Sequence, residues 1–272
     1  MRIAFIGGGN MARAIIGGLL AKGTTKAEEI LVVEPDGSAR LRLLAEYGVK
    51  AIEAPNADLA HAHAVVMAVK PQNMREAAEA LAPIAGDSLF ITIAAGIRIA
   101  DLGRWLGGRE RVVRCMPNTP ALVHAGVTGL YAPEGLAEQD RGMAEKLLGA
   151  VGATLWFERE GDLDAVVAVS GSGPAYVFFA IEALEQAARD LGLAEGASRS
   201  LALWTFVGAT KLAIERGESP AALRAQVTSK GGTTEAAIRV LEAAGVRQDF
   251  IDAVRAARDR SVEMGEALGK DA

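Results

Sequence analysis

The feature that most constrains this chain is its opening, Arg2-Ile3-Ala4-Phe5-Ile6-Gly7-Gly8-Gly9-Asn10-Met11-Ala12. A short apolar strand runs into Gly7-x-Gly9-x-x-Ala12, and the helical run Ala14-Ile15-Ile16-Gly17-Gly18-Leu19-Leu20 follows at once. A strand that hands over to a helix through glycines exposes the first backbone N–H groups of that helix to an anion. Gly7 permits the tight turn, Gly9 lets a diphosphate approach the backbone, and Ala12 allows close helix–strand packing. A second apolar run, Ile30-Leu31-Val32-Val33, ends in an acid, Glu34. Strand, glycines, helix, strand and acid in this order form a dinucleotide fingerprint. They predict an α/β Rossmann-type doubly wound sheet with its ligand at the C-terminal ends of the strands.

The rest of the first half fits that architecture. Strands are expected at Ile3–Ile6, Ile30–Glu34, Val49–Ile52, Ala64–Val69, Leu89–Ile93, Val112–Cys115, Val127–Tyr131 and Thr154–Phe157. Helical stretches such as Ala39–Tyr47 and Met74–Leu81 lie between the earlier ones. From about Asp162 the texture turns to helices alone: Pro174–Leu191, with its proline in the first turn, then Ala197–Arg216, Pro220–Val227, Thr234–Ala244 and Gln248–Leu268. This divides the chain into a dinucleotide-binding domain, 1–160, and an all-α domain, 161–272. The run Leu201, Leu203, Trp204, Phe206, Val207, Leu212 and Ile214 makes one helix apolar around most of its circumference. Such a helix is buried on all sides, either inside its own domain or in a subunit interface.

Composition narrows the classes. At 272 residues, 50% of them apolar, the chain is long enough for two domains with a substantial core. A net charge of −5 without a basic block argues against nucleic acid. The single cysteine, Cys115, excludes an internal disulfide and fits a reducing cytoplasm, where Cys115 is read as a packed small residue. Met1 leads directly into the first strand, which leaves no room for a signal peptide. Apolar runs are interrupted before about 18 residues, so no membrane span is expected. His61 and His63 are two residues apart, a spacing that does not face one side of a helix, and no metal site is expected.

Five further segments carry chemistry. Ala68-Val69-Lys70-Pro71-Gln72 and Ile93-Ala94-Ala95-Gly96 end strands, the first with a lysine held extended by proline, the second with residues small enough to admit a flat ring. Met116-Pro117-Asn118-Thr119-Pro120 sets an amide and a hydroxyl between prolines, and Ser170-Gly171-Ser172-Gly173-Pro174-Ala175-Tyr176 opens the helical half. Finally, Val227-Thr228-Ser229-Lys230-Gly231-Gly232-Thr233-Thr234 precedes a helix, so its glycines and hydroxyls offer a seat for a carboxylate.

With the opening fingerprint, these segments resemble the pyrroline-5-carboxylate reductase family across the whole chain. One departure stands out: Lys230 occupies a position that is usually proline, which loosens the turn and places a cation beside the anion seat. The resemblance implies hydride transfer from a reduced nicotinamide to the imine carbon of 1-pyrroline-5-carboxylate, giving L-proline, the last step of proline biosynthesis. It implies catalytic roles for Thr234 and Ser229, and substrate contacts from Gly231, Gly232, Thr233, Ser172, Met116 and Asn118. Cofactor contacts are implied at Ile6, Gly7, Gly8, Gly9, Asn10, Met11, Glu34, Ser38, Arg40 and Asn56. Ala68, Val69, Lys70, Pro71, Ala94, Ala95 and Gly96 complete that set. An intertwined homodimer is implied, with a higher ring of dimers beyond it.

Cofactor choice divides two arguments. An acid at Glu34 favours NADH, whereas a bidentate phosphate contact from Arg40, with Ser38 beside it, favours NADPH. NADPH is the expectation and NADH the second choice. Two other functions remain open at this stage. A β-hydroxyacid-type dehydrogenase or another cyclic imine reductase shares the two-domain plan, and the dehydrogenase needs a catalytic lysine, for which Lys211 and Lys230 are the candidates. A non-catalytic nicotinamide sensor has no use for the hydroxyl-rich Ser229–Thr234 loop.

Overall fold

The computed structural model describes residues 1–269. Its first unit alternates strands and helices: β1 (Ile3–Ile6), α1 (Asn10–Ala21), β2 (Ile30–Val33), α2 (Gly37–Tyr47), β3 (Lys50–Ile52), β4 (Ala64–Met67), α3 (Met74–Leu81), β5 (Leu89–Thr92), α4 (Ile99–Trp105), β6 (Val112–Met116), β7 (Gly126–Tyr131), α5 (Glu138–Leu148), β8 (Gly152–Trp156) and α6 (Asp162–Val166). The strands form one 8-stranded sheet in the order β3-β2-β1-β4-β5-β6-β7-β8. Its first six strands take the doubly wound order, so the sheet reverses direction of growth between β1 and β4, and a crevice opens there at the strand ends.

Both faces of the sheet are covered, which explains the nearly unbroken apolar strands. Alternate residues sort cleanly. Ile3, Phe5, Val32 and Val66 face Ile15, Ile16 and Leu19 of α1. Ala4, Ile6, Val65 and Met67 face Met74 and Leu81 of α3 and Leu102 of α4. The eight expected strands are all present. β7 runs antiparallel to β6, with Arg114 opposite Tyr131.

The first unit comprises Met1–Ser172 together with Ala257–Ala272, and the second Gly173–Ala256. The expected division at residue 160 therefore lies short of the structural one. Asp164 explains the difference, because it ties α6 into the first unit through Arg98 Nη2 at 2.7 Å and Ser261 Oγ at 2.9 Å. Asp164 and Arg114 are almost fully buried, and Glu160 lies 3.3 Å from Arg114. Burial holds the Arg114 guanidinium below its ordinary pKa, opposed by Glu160 and Asp164.

The second unit holds α7 (Gly173–Asp190), α8 (Glu195–Arg216), α9 (Pro220–Gln226), α10 (Thr233–Ala243) and the first half of α11 (Val246–Gly269). Within the chain the apolar α8 is not enclosed. Leu201, Trp204, Val207 and Ile214 are exposed, Trp204 at 72%, so the reading in which the helix is buried within its own domain is overturned. Contrary to the expectation that no run is long enough, the helical stretch Asp162–Asp190 contains an 18-residue window of mean hydropathy 1.4 and passes for a membrane span by length and composition alone, a test that the core helix of a soluble protein passes as well.

Candidate functional site

The glycine loop is built as its residues dictate. Gly7 has φ +99°, and a Cβ there would lie 2.8 Å from the Ala68 carbonyl oxygen, so the turn admits only glycine. Its N–H donates to the Val33 carbonyl at 2.8 Å, which ties the end of β1 to β2, and Ala68 N–H donates to the Ile6 carbonyl at 2.8 Å, which ties it to β4. Gly9 caps α1 with no side-chain partner for the helix N–H groups, and a Cβ on Gly9 would meet open space. A free helix N-terminus with clear space in front of it fits a dinucleotide diphosphate. Ile6 is buried as a strand residue, Asn10 is exposed, and Met11 is half-buried against the core.

The rim of this crevice differs in detail from the expected contacts. Glu34 turns inward: its Oε2 accepts the Gly8 N–H at 2.8 Å and its Oε1 accepts the Asp36 N–H at 2.9 Å. Arg40 curls back on its own loop, donating from Nη1 to the carbonyls of Glu34 and Pro35 at 2.8 and 2.7 Å. Its Nη2 lies 3.5 Å from Glu53. The Ser38 hydroxyl donates to Asp36 Oδ1 at 2.6 Å, and the same oxygen caps α2 through Ala39 N–H. These hydrogen bonds hold Asp36 below its ordinary pKa. Ser38 and Arg40, expected as phosphate donors, thus have donors already engaged. Asn56 accepts from Asp58 N–H at 3.0 Å and caps the short turn that follows β3.

Ala68 and Val69 continue β4 into the crevice, and Lys70 is extended and exposed before Pro71, as the proline requires. Ala94 is buried, Ala95 half-buried. Gly96 has a packing role: a Cβ there would lie 2.9 Å from Leu268.

Asn118 is also committed internally. Its Nδ2 donates to the Ser170 carbonyl at 3.1 Å and its Oδ1 accepts Val127 N–H at 2.9 Å, so it locks the loop after β6 onto a π-helical turn, Val167–Gly171. Met116 packs against the same turn, its Cε 3.1 Å from a Cβ built on Gly171. π-helical turns recur at functional sites, and Ser172 follows this one half-exposed. Cys115 is fully buried, and desolvation pushes its thiol well above the ordinary range, which suits a packing residue. The His63 ring accepts the Arg2 N–H at 3.0 Å.

In the second unit, Gly232 caps α10 without a side-chain bond, and Gly231 takes φ +73°. The free N–H groups lie two residues further on than the expected seat at Gly231, Gly232 and Thr233. Gly232 N–H is spent on the Ser229 carbonyl, and Gly231 N–H donates to Glu235 Oε2 at 2.7 Å. The first-turn N–H groups of Thr233, Thr234 and Glu235 have no helical partner. Among the described residues neither the Thr234 nor the Ser229 hydroxyl has a hydrogen-bond partner, whereas Thr228 donates to the Arg224 carbonyl at 2.6 Å. Glu235 was missed by the sequence reading. Its position three past the cap, where capping-box acids sit, was the available signal.

A Rossmann unit with a glycine loop at its first helix, followed by an all-helical unit whose α10 begins uncapped among hydroxyl residues, is the plan of a nicotinamide-dependent oxidoreductase. The N-terminal part, residues 2–96, matches a family described as NADP oxidoreductase, coenzyme F420-dependent, and residues 160–264 match the pyrroline-5-carboxylate reductase dimerisation family. The pyrroline-5-carboxylate reductase of Pseudomonas aeruginosa is 44% identical over 99% of this chain and 98% of its own. The structure of the Coxiella burnetii pyrroline-5-carboxylate reductase superposes with a TM-score of 0.91 at 41% identity, covering 97% of this chain and 98% of that one. The Plasmodium falciparum pyrroline carboxylate reductase with NADP bound gives 0.86 at 27% identity, covering 97% and 98%. The chain belongs to the pyrroline-5-carboxylate reductase family.

Proposed function

We propose that this chain reduces 1-pyrroline-5-carboxylate to L-proline, the closing step of proline biosynthesis. The observation that carries this reading is the 44% identity to the Pseudomonas aeruginosa reductase across essentially the whole of both chains. The reduced nicotinamide, when bound, supplies the hydride that adds to the imine carbon. The chain's own residues bind and orient. The α1 N-terminus at Gly9, Asn10 and Met11 holds the diphosphate, and Ala94 and Ala95 wall the strand-end crevice. The N–H groups of Thr233, Thr234 and Glu235 hold the substrate carboxylate. The Thr234 hydroxyl, unpartnered among the described residues, hydrogen-bonds the ring nitrogen, with Ser229 beside it. An imine is basic enough to arrive protonated, so the ring nitrogen needs no strongly perturbed acid. Hydride then neutralises the iminium and leaves the amine.

The chain is read as a cytoplasmic homodimer, supported by the dimerisation family matched over residues 160–264. NADPH keeps the support of the NADP-bound Plasmodium relative but loses that of Ser38 and Arg40, whose donors are engaged. The activity is tested by following reduced-nicotinamide absorbance with and without pyrroline carboxylate, with proline identified as product. Pyrroline-dependent oxidation is the expected outcome. Alcohol-dependent reduction of the oxidised cofactor, or binding without turnover, would replace this reading with a dehydrogenase or a sensor.

A further inference from the structure

We propose that Glu34 makes this chain select NADH over NADPH, contrary to the expectation drawn from Arg40. The inference rests on Gly7–Met11 being the dinucleotide loop. Glu34 follows the second strand, where an acid accepts hydrogen bonds from the adenosine ribose hydroxyls. Its carboxylate is not free to swing away. Gly8 N–H holds one oxygen at 2.8 Å and Asp36 N–H the other at 2.9 Å. The stem packs against the loop as well, since a Cβ on Gly8 would sit 3.4 Å from Glu34 Cγ. A carboxylate has about four acceptor sites, so two remain for ribose hydroxyls. It has no donor for a 2′-phosphate, which brings nearly two further negative charges to a fixed one.

The neighbours do not offset that charge. The Arg40 guanidinium faces the Glu53 carboxylate at 3.5 Å, and the Arg42 charge acts on Asp36. Arg40 spends Nη1 on two carbonyls and turns Nη2 toward Glu53, and Ser38 donates to Asp36. A 2′-phosphate would have to break these contacts to gain Arg40 or Ser38 as a partner, whereas a 2′-hydroxyl needs neither.

The test is calorimetric binding of NADH and of NADPH to the full chain, without pyrroline substrate. The parent should bind NADH about ten-fold or more tighter than NADPH, the scale on which like-charge juxtaposition discriminates ligands. Glu34→Gln keeps an acceptor for Gly8 N–H and removes the charge, and it should raise NADPH affinity about ten-fold. Arg40→Ala should leave the preference for NADH in place. A parent that binds NADPH as tightly as NADH overturns the proposal without reference to any variant, as does a folded Glu34→Gln protein whose ratio is unchanged. Loss of selectivity would leave the reductase reading intact. Selective NADH binding without pyrroline carboxylate turnover would refute the reductase reading and leave this one standing. Failure of both dinucleotides to bind the parent removes both readings.

Discussion

At the scale of single residues, hydrogen bonding decides which side chains remain for a ligand. Thr234 is half-buried with an unpartnered hydroxyl among the described residues, so Thr234→Ala should leave stability within about 0.5 kcal/mol of the parent. If the hydroxyl holds the ring nitrogen in the transition state, kcat should fall by about 10²-fold, with cofactor affinity unchanged. Parent-like turnover in Thr234→Ala would remove it from the mechanism. Gly7 is constrained by backbone alone. Its φ of +99° and the Ala68 carbonyl 2.8 Å from a would-be Cβ mean that Gly7→Ala should cost about 2 kcal/mol or more and displace the loop. A melt in urea with a dinucleotide titration would read both effects, and wild-type values in each would contradict the turn geometry. The sequence announced Gly7 through its motif. It did not announce that Arg40 and Ser38 curl back on their own loop, because those bonds depend on the path of Glu34–Asp36, which no local pattern encodes.

Elements were more legible than their connections. Strand residues carry their own signal, short β-rich apolar runs between helical ones, and all eight strands fall where that signal put them. The antiparallel β7 was also readable in principle. Only residues 117–125 separate β6 from β7, too few for the crossover of a dozen or more that a parallel neighbour needs. The extent of the first unit was not readable, because it depends on Asp164, Arg98, Arg114 and Ser261, which lie far apart in sequence. Removing one member of a buried charge cluster leaves the others uncompensated. Asp164→Ala should therefore cost about 3 kcal/mol. It should also raise hydrogen exchange across residues 257–269, whose Ser261 loses its acceptor. Unchanged exchange there with an unchanged melting curve would show that the cluster does not anchor the end of α11.

For the molecule as a whole, the apolar surface of the second unit sets the expectation. Phe178 and Phe179 on α7 and Leu201, Trp204, Val207 and Ile214 on α8 are exposed, several of them by more than half. Each buries about 1.5–3 kcal/mol of hydrophobic free energy when covered. Exposed apolar residues of this kind on a chain that matches the pyrroline-5-carboxylate reductase dimerisation family are the surface a second copy would cover. The periodicity of α8 announced an apolar helix but could not say what covers it, since a core and an interface demand the same residues. Light scattering should therefore give a mass of at least twice 28.3 kDa for the active protein. Trp204, 72% exposed in the chain, is the test position, because a large aromatic at the centre of an interface costs about 2 kcal/mol or more when lost. Trp204→Glu adds a charge to that loss and should shift the protein toward monomer. The glycine loop lies in the other unit, so dinucleotide binding should survive the substitution. A parent that is monomeric and active at assay concentration, or a Trp204→Glu variant whose association is as tight as the parent's, would show that α8 does not hold the subunits together.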